Sequence, residues 1–303
     1  MSDGKDGDRG QLRHNNERRR LCAAAGLGGL GLLLGAPAWA QGAGGTPRAA
    51  AGGKAWRFLI NEAVTGETNF FVLTNRYKPL ADYVSEQLKG RHPIGIEAVL
   101  DIKRFISLAQ AQPRPELVFG KSVNQLAKLV RDEGYHPLVK RPDGYKAAFI
   151  VPKNSPLKTL ADAGRAKAKI LMPDEYAATT AVARAELRRQ NVVGAEVAHT
   201  RYQEAVAQQV QNSFAQIGVV NPTIAKKWVA DGGRVLAETQ PVVNWSLLAA
   251  PTMPEDTVAQ LRDVLMGMNT NTQASAVLQS IGVKEWARAE RKDYLALLDY
   301  TKE

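Results

Sequence analysis

Short apolar runs alternate with amphipathic helical stretches from Trp56 onward, and this alternation constrains the fold more than any other feature of the sequence. Strand-like runs in the first half include "WRFLINEA", "IGIEAVL" and "ELVFG", and helical stretches include "YKPLADYVSEQL" and "SVNQLAKLVRDEG". Leu80, Val84 and Leu88 fall on one face of the first helical stretch. A βαβα order of this kind predicts an α/β fold with a mostly parallel sheet flanked by helices.

The alternation starts again near residue 168, which predicts a second α/β unit of similar size. The runs there include "AKILMP", "AATTAVARAELRRQ", "AEVAHT" and "YQEAVAQQVQN". The apolar strands "KAAFIVP" and "NWSLLAAP" bracket this unit, and we interpret both as crossings between two lobes. We therefore expect lobe one over 55–145, lobe two over 146–245, and a return to lobe one with C-terminal helices over 246–303. Two crossings form a hinge, and a hinge between lobes makes a cleft.

Residues 1–40 have the three-part plan of an export signal. Three arginines at 18–20 precede a Gly/Ala/Leu run that ends in a small-residue site at 38–40. This pattern predicts cleavage after residue 40, a periplasmic location and a flexible linker over 41–54. Consecutive arginines favour the twin-arginine route. Glu17 stands where that pattern usually has Ser or Thr, so an ordinary secretory signal stays open.

The composition is that of a globular protein with a basic surface. Hydrophobic residues make up 45% of the chain, charged residues 23%, and the formal net charge is +10. The positive side chains are scattered among acidic ones, so we do not expect nucleic acid as a partner. Cys22, the single cysteine, lies in the predicted signal. The mature chain is therefore expected to have no disulfide, thiolate metal site or cysteine nucleophile.

The sequence also lacks the motifs that accompany common enzyme chemistries. It contains no Gly-rich nucleotide loop, no H-E-x-x-H and no G-x-S-x-G. We therefore expect no catalytic residue, no cofactor and no metal site, and we predict that the protein is not an enzyme.

Five stretches occur in a recognisable order between residues 56 and 268. They are "YKPLADYVSEQL", "ELVFG", "KAAFIVPKNSPLKTLADA", the strand and helix over 168–190, and "RVLAETQPVVNWSLLAAPTMPEDTVAQLRDVL". In this order they resemble the phosphate/phosphonate-type periplasmic substrate-binding proteins of ABC importers. The resemblance implies a two-lobed type II fold (Venus flytrap) with a two-strand hinge. It also implies an exported monomer that captures a small anion, such as phosphate or phosphonate, for a membrane permease.

The resemblance places the anion at the turn after the first strand of lobe two, here "PDEYAATT". Family members carry a Ser-Thr-Ser-Gly-like run there, whereas this chain has alanine at 177 and 178, followed by Thr179 and Thr180. These two threonines are the candidate ligands, supported by helix N–H groups, which bind anions without a charged side chain. The alternative interpretation is that the threonines only cap or face their helix.

Four more candidate ligand-binding residues come from the same resemblance. Ser122 and Asn124 lie in "FGKSVNQ", where the family tends to have a serine and a tyrosine. Tyr202 stands where the family often has histidine, and Asn221 where it often has an aspartate that meets a ligand amine. An asparagine drops that charge, which makes an aminophosphonate ligand less expected. Ser122 and Asn221 are also placed to cap helices.

Two side chains next to these turns are open to either interpretation. Lys121 is placed to add charge at the rim of the cleft, although an exposed lysine is usually only solvated. Trp245 is either an apolar cleft wall or a core residue.

Three alternatives to a transport role remain at the level of sequence. The chain is also consistent with a flytrap module that reports ligand to a membrane receptor. It is consistent with an exported enzyme on the same fold, which the missing motifs argue against. The two alanines at the anion turn further allow a degenerate flytrap that binds no small solute.

Overall fold

The computed structural model describes residues 53–62 and 69–303. The predicted export signal, and the predicted linker as far as residue 52, lie outside these ranges. None of the helices in the described ranges combines the length and the apolar character needed to span a bilayer.

The described strands form two separate sheets. In chain order they are Trp56–Asn61 (β1), Ile94–Ala98 (β2), Leu117–Gly120 (β3), His136–Lys140 (β4), Ala148–Val151 (β5), Lys169–Met172 (β6), Glu196–His199 (β7), Ile217–Val220 (β8), Arg234–Glu238 (β9), Ser246–Ala249 (β10) and Ala287–Arg288 (β11). We call the part of the chain built on the first sheet lobe one and the part built on the second sheet lobe two.

The helices connect and cover these strands. They are Phe70–Gln87 (α1), Ile102–Gln110 (α2), Val123–Asp132 (α3), Leu160–Arg165 (α4), Ala178–Arg189 (α5), Gln203–Gln211 (α6), Pro222–Ala230 (α7), Glu255–Gly267 (α8), Thr272–Ser280 (α9) and Arg291–Thr301 (α10). Local sequence explains several starts. The carboxylate of Asp101 accepts a hydrogen bond from the Arg104 N–H at the start of α2, and Thr159 and Asp162 form a capping box at α4.

Lobe one has the strand order β11-β4-β10-β3-β1-β2. Strand β1 pairs in parallel with β2 and β3, whereas β10 runs antiparallel between β3 and β4. The carboxyl ends of β1, β3 and β4 therefore meet the amino end of β10 at one edge of the sheet.

Lobe two has the strand order β7-β6-β8-β5-β9. Strand β6 pairs in parallel with β7 and β8, and β5 runs antiparallel to β8 and β9. The turns after β6, β7 and β8 lead directly into α5, α6 and α7, so three helix N-termini lie along the same edge of this sheet.

The chain passes between the two sheets twice, ahead of β5 and ahead of β10. The strands "KAAFIVP" and "NWSLLAAP" are therefore not themselves the crossings, because β5 pairs within lobe two and β10 within lobe one. The crossings are the segments just before them, and they pair with each other through Tyr145 and Val242. Each of these two residues donates its N–H to the carbonyl of the other at 2.9 Å. This pairing ties the two crossings into one unit.

Apolar packing also joins the lobes. One continuous buried cluster includes Leu129 of α3, Val182 of α5 and Leu297 of α10. Polar contacts of α10 reach both lobes. The Lys140 ammonium lies 2.6 Å from the Asp293 carboxylate, and the Tyr300 hydroxyl donates to Glu186 at 2.9 Å. Helix α10 therefore fixes α5 against lobe one.

Candidate functional site

A cavity of about 290 Å³ lies between the two lobes, where the strand ends described above face each other. Lobe two contributes the first turns of α5, α6 and α7, and lobe one contributes residues that directly follow β1, β3 and β4. The carboxyl ends of strands in open α/β sheets are where ligands usually bind. The volume is at the small end of the ~300–1,000 Å³ range of ligand pockets, which favours a small solute.

The first turn of α5 forms the lobe-two wall of this cavity. Ala177, Ala178 and Thr179 line it. The Ala181 N–H donates to the Ala177 carbonyl and so closes the first turn of the helix. The N–H groups that precede it have no intrahelical acceptor, and no described side chain caps them. This helix end therefore presents free donors and a partial positive charge to the cavity.

Neither candidate threonine caps α5, because the helix begins at Ala178 and both lie inside its first turn. Thr179, only 2% exposed, lines the cavity, and its hydroxyl lies 2.5 Å from the Tyr145 hydroxyl. Thr180 lies outside the lining, and its hydroxyl donates to the Pro173 carbonyl at 3.2 Å. The capping interpretation is therefore wrong for both residues.

Asn221 lines the cavity at the start of α7. Its side-chain oxygen accepts from the Ile224 N–H at 3.0 Å, so it caps the helix. Its own N–H donates to the side-chain oxygen of buried Gln203 at 2.8 Å. The N-terminus of α7 thus has a side-chain cap, in contrast to that of α5.

On the lobe-one side, the buried carboxylate of Glu62 organises the wall. Glu62 is 3% exposed and follows β1 directly. Its carboxylate oxygens lie 2.5 Å from the Arg76 guanidinium and 3.2 Å from the Lys121 ammonium. The Tyr77 hydroxyl donates to the same carboxylate at 2.8 Å, and burial and the adjacent carboxylate raise the Tyr77 pKa well above its usual value. This network holds Lys121 in a fixed place.

Lys121 is a cavity residue rather than a solvated rim charge, with a side chain only 16% exposed. Its ammonium lies 3.9 Å from the centre of the Trp245 ring, and the Arg141 guanidinium lies 4.5 Å from the same ring. Burial lowers the Lys121 pKa, against the opposing pull of Glu62. Trp245 therefore forms part of the cavity wall, and both cations lie close to its ring.

The lining is not positive overall. Among the described residues it holds the cations of Lys121 and Arg141 and the carboxylates of Glu62, Asp143 and Glu204. Arg141 grips Asp143 through two hydrogen bonds of 3.0 and 2.7 Å. Glu204 lies in the first turn of α6, where a negative charge is favourable. The N-termini of α5 and α6 both lack a side-chain cap, but Glu204 offsets the positive end of α6. The uncapped end of α5, which has no acidic residue in its first turn, is therefore the stronger attraction for an anion.

The other predicted ligand residues lie outside the lining. Ser122 is fully buried at the N-cap position of α3, and its hydroxyl finds no hydrogen-bond partner among the described residues. Asn124 is also buried, and its amide donates to the Tyr176 carbonyl at 3.3 Å, just ahead of α5. Tyr202, 37% exposed, stands at the N-cap position of α6. Their roles in binding stay predictions.

Several lining residues were not identified from the sequence. Glu62, Arg141 and Tyr145 follow lobe-one strands or lie on a crossing, and Gln203 and Glu204 open α6. Their position directly after a strand is a usable signal, but it marks many turn residues equally. Only the folded structure, in which the strand ends of the two sheets face each other, shows which of these turns line the cavity.

Two α/β lobes joined by paired crossings, with a small cavity between their strand ends that includes charged side chains in its lining, define a two-lobed solute-binding protein. A family model described as the periplasmic substrate-binding protein of phosphonate ABC transporters matches residues 71–294. The chain belongs to this family, which is periplasmic, binds small solutes and works with an ABC transporter permease. A search of curated proteins finds no significant match.

Solved structures of similar shape confirm the predicted type II periplasmic-binding-protein fold. PhnD1 of Prochlorococcus marinus, in complex with methylphosphonate, is 14% identical with a TM-score of 0.66, over 81% of this chain and 97% of its own. The protein XAC2383 of Xanthomonas citri, bound to ATP, is 16% identical with a TM-score of 0.68, over 82% and 98%. A phosphonate-transporter binding component from Pseudomonas aeruginosa is 13% identical with a TM-score of 0.62, over 82% and 85%.

Replacing Glu62 by glutamine tests whether this carboxylate holds the lobe-one wall. The change leaves the buried ammonium of Lys121 without its counter-charge, so we expect a loss of about 3 kcal/mol in the free energy of unfolding. Asp82→Asn is the matched control, because its pair with Lys78 is exposed and should contribute less than about 1 kcal/mol. Urea unfolding measures both. Equal losses in the two variants would contradict the assigned role of Glu62.

Proposed function

We propose that the protein is an exported solute-binding protein that holds a small anion between its lobes and delivers it to the permease of an ABC importer. The first turn of α5 carries the proposal, because its uncapped N–H groups open into the interlobe cavity. Membership of a family of transporter binding proteins supports the transport role. The anion would be gripped by main-chain donors and Thr179 from lobe two, and faced by Lys121 from lobe one.

The size and charge of the cavity favour a compact head group. About 290 Å³ suits a small phosphonate, phosphate or similar oxyanion. The carboxylates of Glu62, Asp143 and Glu204 disfavour a ligand with several negative charges. A solute like the methylphosphonate bound by PhnD1 therefore fits this lining better than a nucleotide like the ATP bound by XAC2383.

The open space between the lobes argues against a degenerate flytrap. Small residues, Ala177 and Ala178, border the cavity next to the free donors, and the space between the lobes is open rather than filled by bulky apolar groups. The alanines thus remove two hydroxyl groups of the family pattern without closing the site. We propose that main-chain donors replace the missing hydroxyls.

The remaining parts of the proposal concern export and chemistry. We propose that residues 1–40 direct export, with the three arginines at 18–20 favouring the twin-arginine route. We also propose that the protein acts as a monomer and catalyses no reaction on its solute. Tracking a tagged precursor in cells that lack either export pathway would identify the route.

A thermal-shift panel of methylphosphonate, phosphate, methanesulfonate, acetate and ATP tests the proposed function. We expect at least one of the small oxyanions to raise the Tm of the purified protein, because a ligand at 100-fold over its Kd adds about 2.7 kcal/mol to stability. At roughly 2–4 °C per kcal/mol for a chain of this size, that corresponds to a rise of roughly 5–10 °C. A panel in which no small anion shifts the Tm, or in which ATP alone does, would contradict the proposal.

The pH dependence of binding tests the part assigned to Lys121. Burial lowers the Lys121 pKa, so the ammonium loses its proton at a lower pH than that of an exposed lysine. We expect affinity for the bound anion to fall through that lowered pKa. Lys121→Arg keeps its charge throughout and should hold its affinity to higher pH.

Calorimetric titration of both proteins with the same anion is the measurement. The protonation of the anion itself affects both proteins equally, so it cancels in the comparison. Parallel loss of affinity in the wild type and in Lys121→Arg would show that Lys121 does not face the anion.

A further inference from the structure

The hydroxyl groups of Tyr145 and Thr179 lie 2.5 Å apart, at the short end of the range for a hydroxyl–hydroxyl hydrogen bond. Both residues are buried, and both line the interlobe cavity. They come from different parts of the fold, since Tyr145 lies on the first crossing and Thr179 in the first turn of α5. The contact therefore joins the hinge to the helix end that is proposed to hold the anion.

Tyr145 is anchored both through its main chain and through its ring. Its N–H and carbonyl both bond to Val242 of the second crossing, at 2.9 Å each. Its ring belongs to the large apolar cluster that runs through both lobes. A side chain fixed at the backbone and along the ring can hold a partner hydroxyl in one orientation.

The distance alone allows either hydroxyl to donate, but a phenol is more acidic than an aliphatic alcohol and is therefore the stronger donor of the two. Burial raises the Tyr145 pKa to about 12, so the phenol keeps its proton at neutral pH and can donate. When Tyr145 donates to the Thr179 oxygen, the Thr179 proton has to point elsewhere. The neighbouring Thr180 sends its proton to the Pro173 carbonyl, whereas Thr179 borders the cavity, where an anion would accept it.

We propose that Tyr145 is a positioning residue of the anion site, whose hydroxyl donates to Thr179 and so aims the Thr179 proton at the bound anion. This inference rests on the proposed function. In this arrangement the Thr179 hydroxyl donates its proton to the anion, as the first-turn N–H groups of α5 do. Tyr145 itself acts through Thr179 and does not touch the solute.

A double-mutant cycle with Tyr145→Phe and Thr179→Val tests the proposal, with methylphosphonate and inorganic phosphate as probes in calorimetric titrations. We expect Tyr145→Phe to weaken binding about fivefold and Thr179→Val about tenfold, as for single hydrogen bonds. The double variant should bind no more weakly than Thr179→Val alone, because Tyr145 acts only through that hydroxyl. Thr179→Ser keeps the hydroxyl and should retain most of the wild-type affinity.

Tyr135→Phe is the matched control for loss of a buried phenol. The Tyr135 hydroxyl donates to the Ala109 carbonyl at 2.7 Å, inside lobe one and away from the cavity lining. This variant should lower the Tm of the ligand-free protein without changing affinity. A change confined to stability in Tyr145→Phe as well would assign Tyr145 a merely structural role.

The outcomes distinguish a failure of the positioning role of Tyr145 from a failure of the proposed function. If the wild type binds a probe and Tyr145→Phe binds it equally well, or if the two losses simply add in the double variant, the positioning role is overturned and the proposed function stands. If the wild type binds neither probe nor any other anion of the panel, both are overturned.

Discussion

The proposed anion site depends on one group of main-chain donors without a side-chain cap, the first-turn N–H groups of α5. Buried main-chain donors almost always have partners, and no described side chain supplies one here. The residues that carry these donors, Ala178 and Thr179, are buried yet border an open cavity. An oxyanion is the partner that a helix N-terminus of this kind favours, because hydrogen bonding and the helix dipole act together.

The rest of the fold serves to place that helix end. The turn after β6 delivers α5 to one edge of lobe two, and the crossings bring the matching edge of lobe one to face it. Helix α10 packs against α3 and α5, so the wall that carries the donors is braced from behind. On the opposite wall, Glu62 fixes Lys121 at 3.2 Å. The cavity lining thus combines uncapped main-chain donors with one cation held by an ion pair.

The α/β alternation and the two-lobed architecture could be predicted from sequence because they depend on local periodicity. Runs such as "ELVFG" and "AKILMP" are short and apolar, and this local pattern predicts a buried strand without any knowledge of distant segments. The predicted position of the anion turn has a different source, because it was implied by the family resemblance and not by periodicity. The crossings were harder to place, because "KAAFIVP" and "NWSLLAAP" are as apolar as any buried strand. Only their antiparallel pairing assigns each to one sheet.

The side chains of the site were less predictable, because their roles depend on contacts between distant segments. Lys121 has no local feature that distinguishes it from a solvated lysine; burial follows from Glu62 and Trp245, which lie far from it in sequence. Thr179 and Thr180 are neighbours of the same type, yet only Thr179 borders the cavity. Which threonine does so depends on where α5 begins, and the boundary of a helix is the least certain part of any sequence-based prediction.

If main-chain donors of α5 hold the anion, removal of one of them should weaken binding, and Ala178→Pro removes one. Ala178 is the first residue of α5 and follows a residue in extended conformation, with φ −69° and ψ 144°. Proline is compatible with this position and removes one N–H group.

Thr272→Pro makes the same change at the first residue of α9, which follows the extended Asn271 and lies outside the cavity lining. We expect Ala178→Pro to fold and to lose at least about tenfold in affinity for methylphosphonate or phosphate, and we expect Thr272→Pro to bind like the wild type. Unchanged affinity in a folded Ala178→Pro variant would contradict the proposed role of the α5 donors.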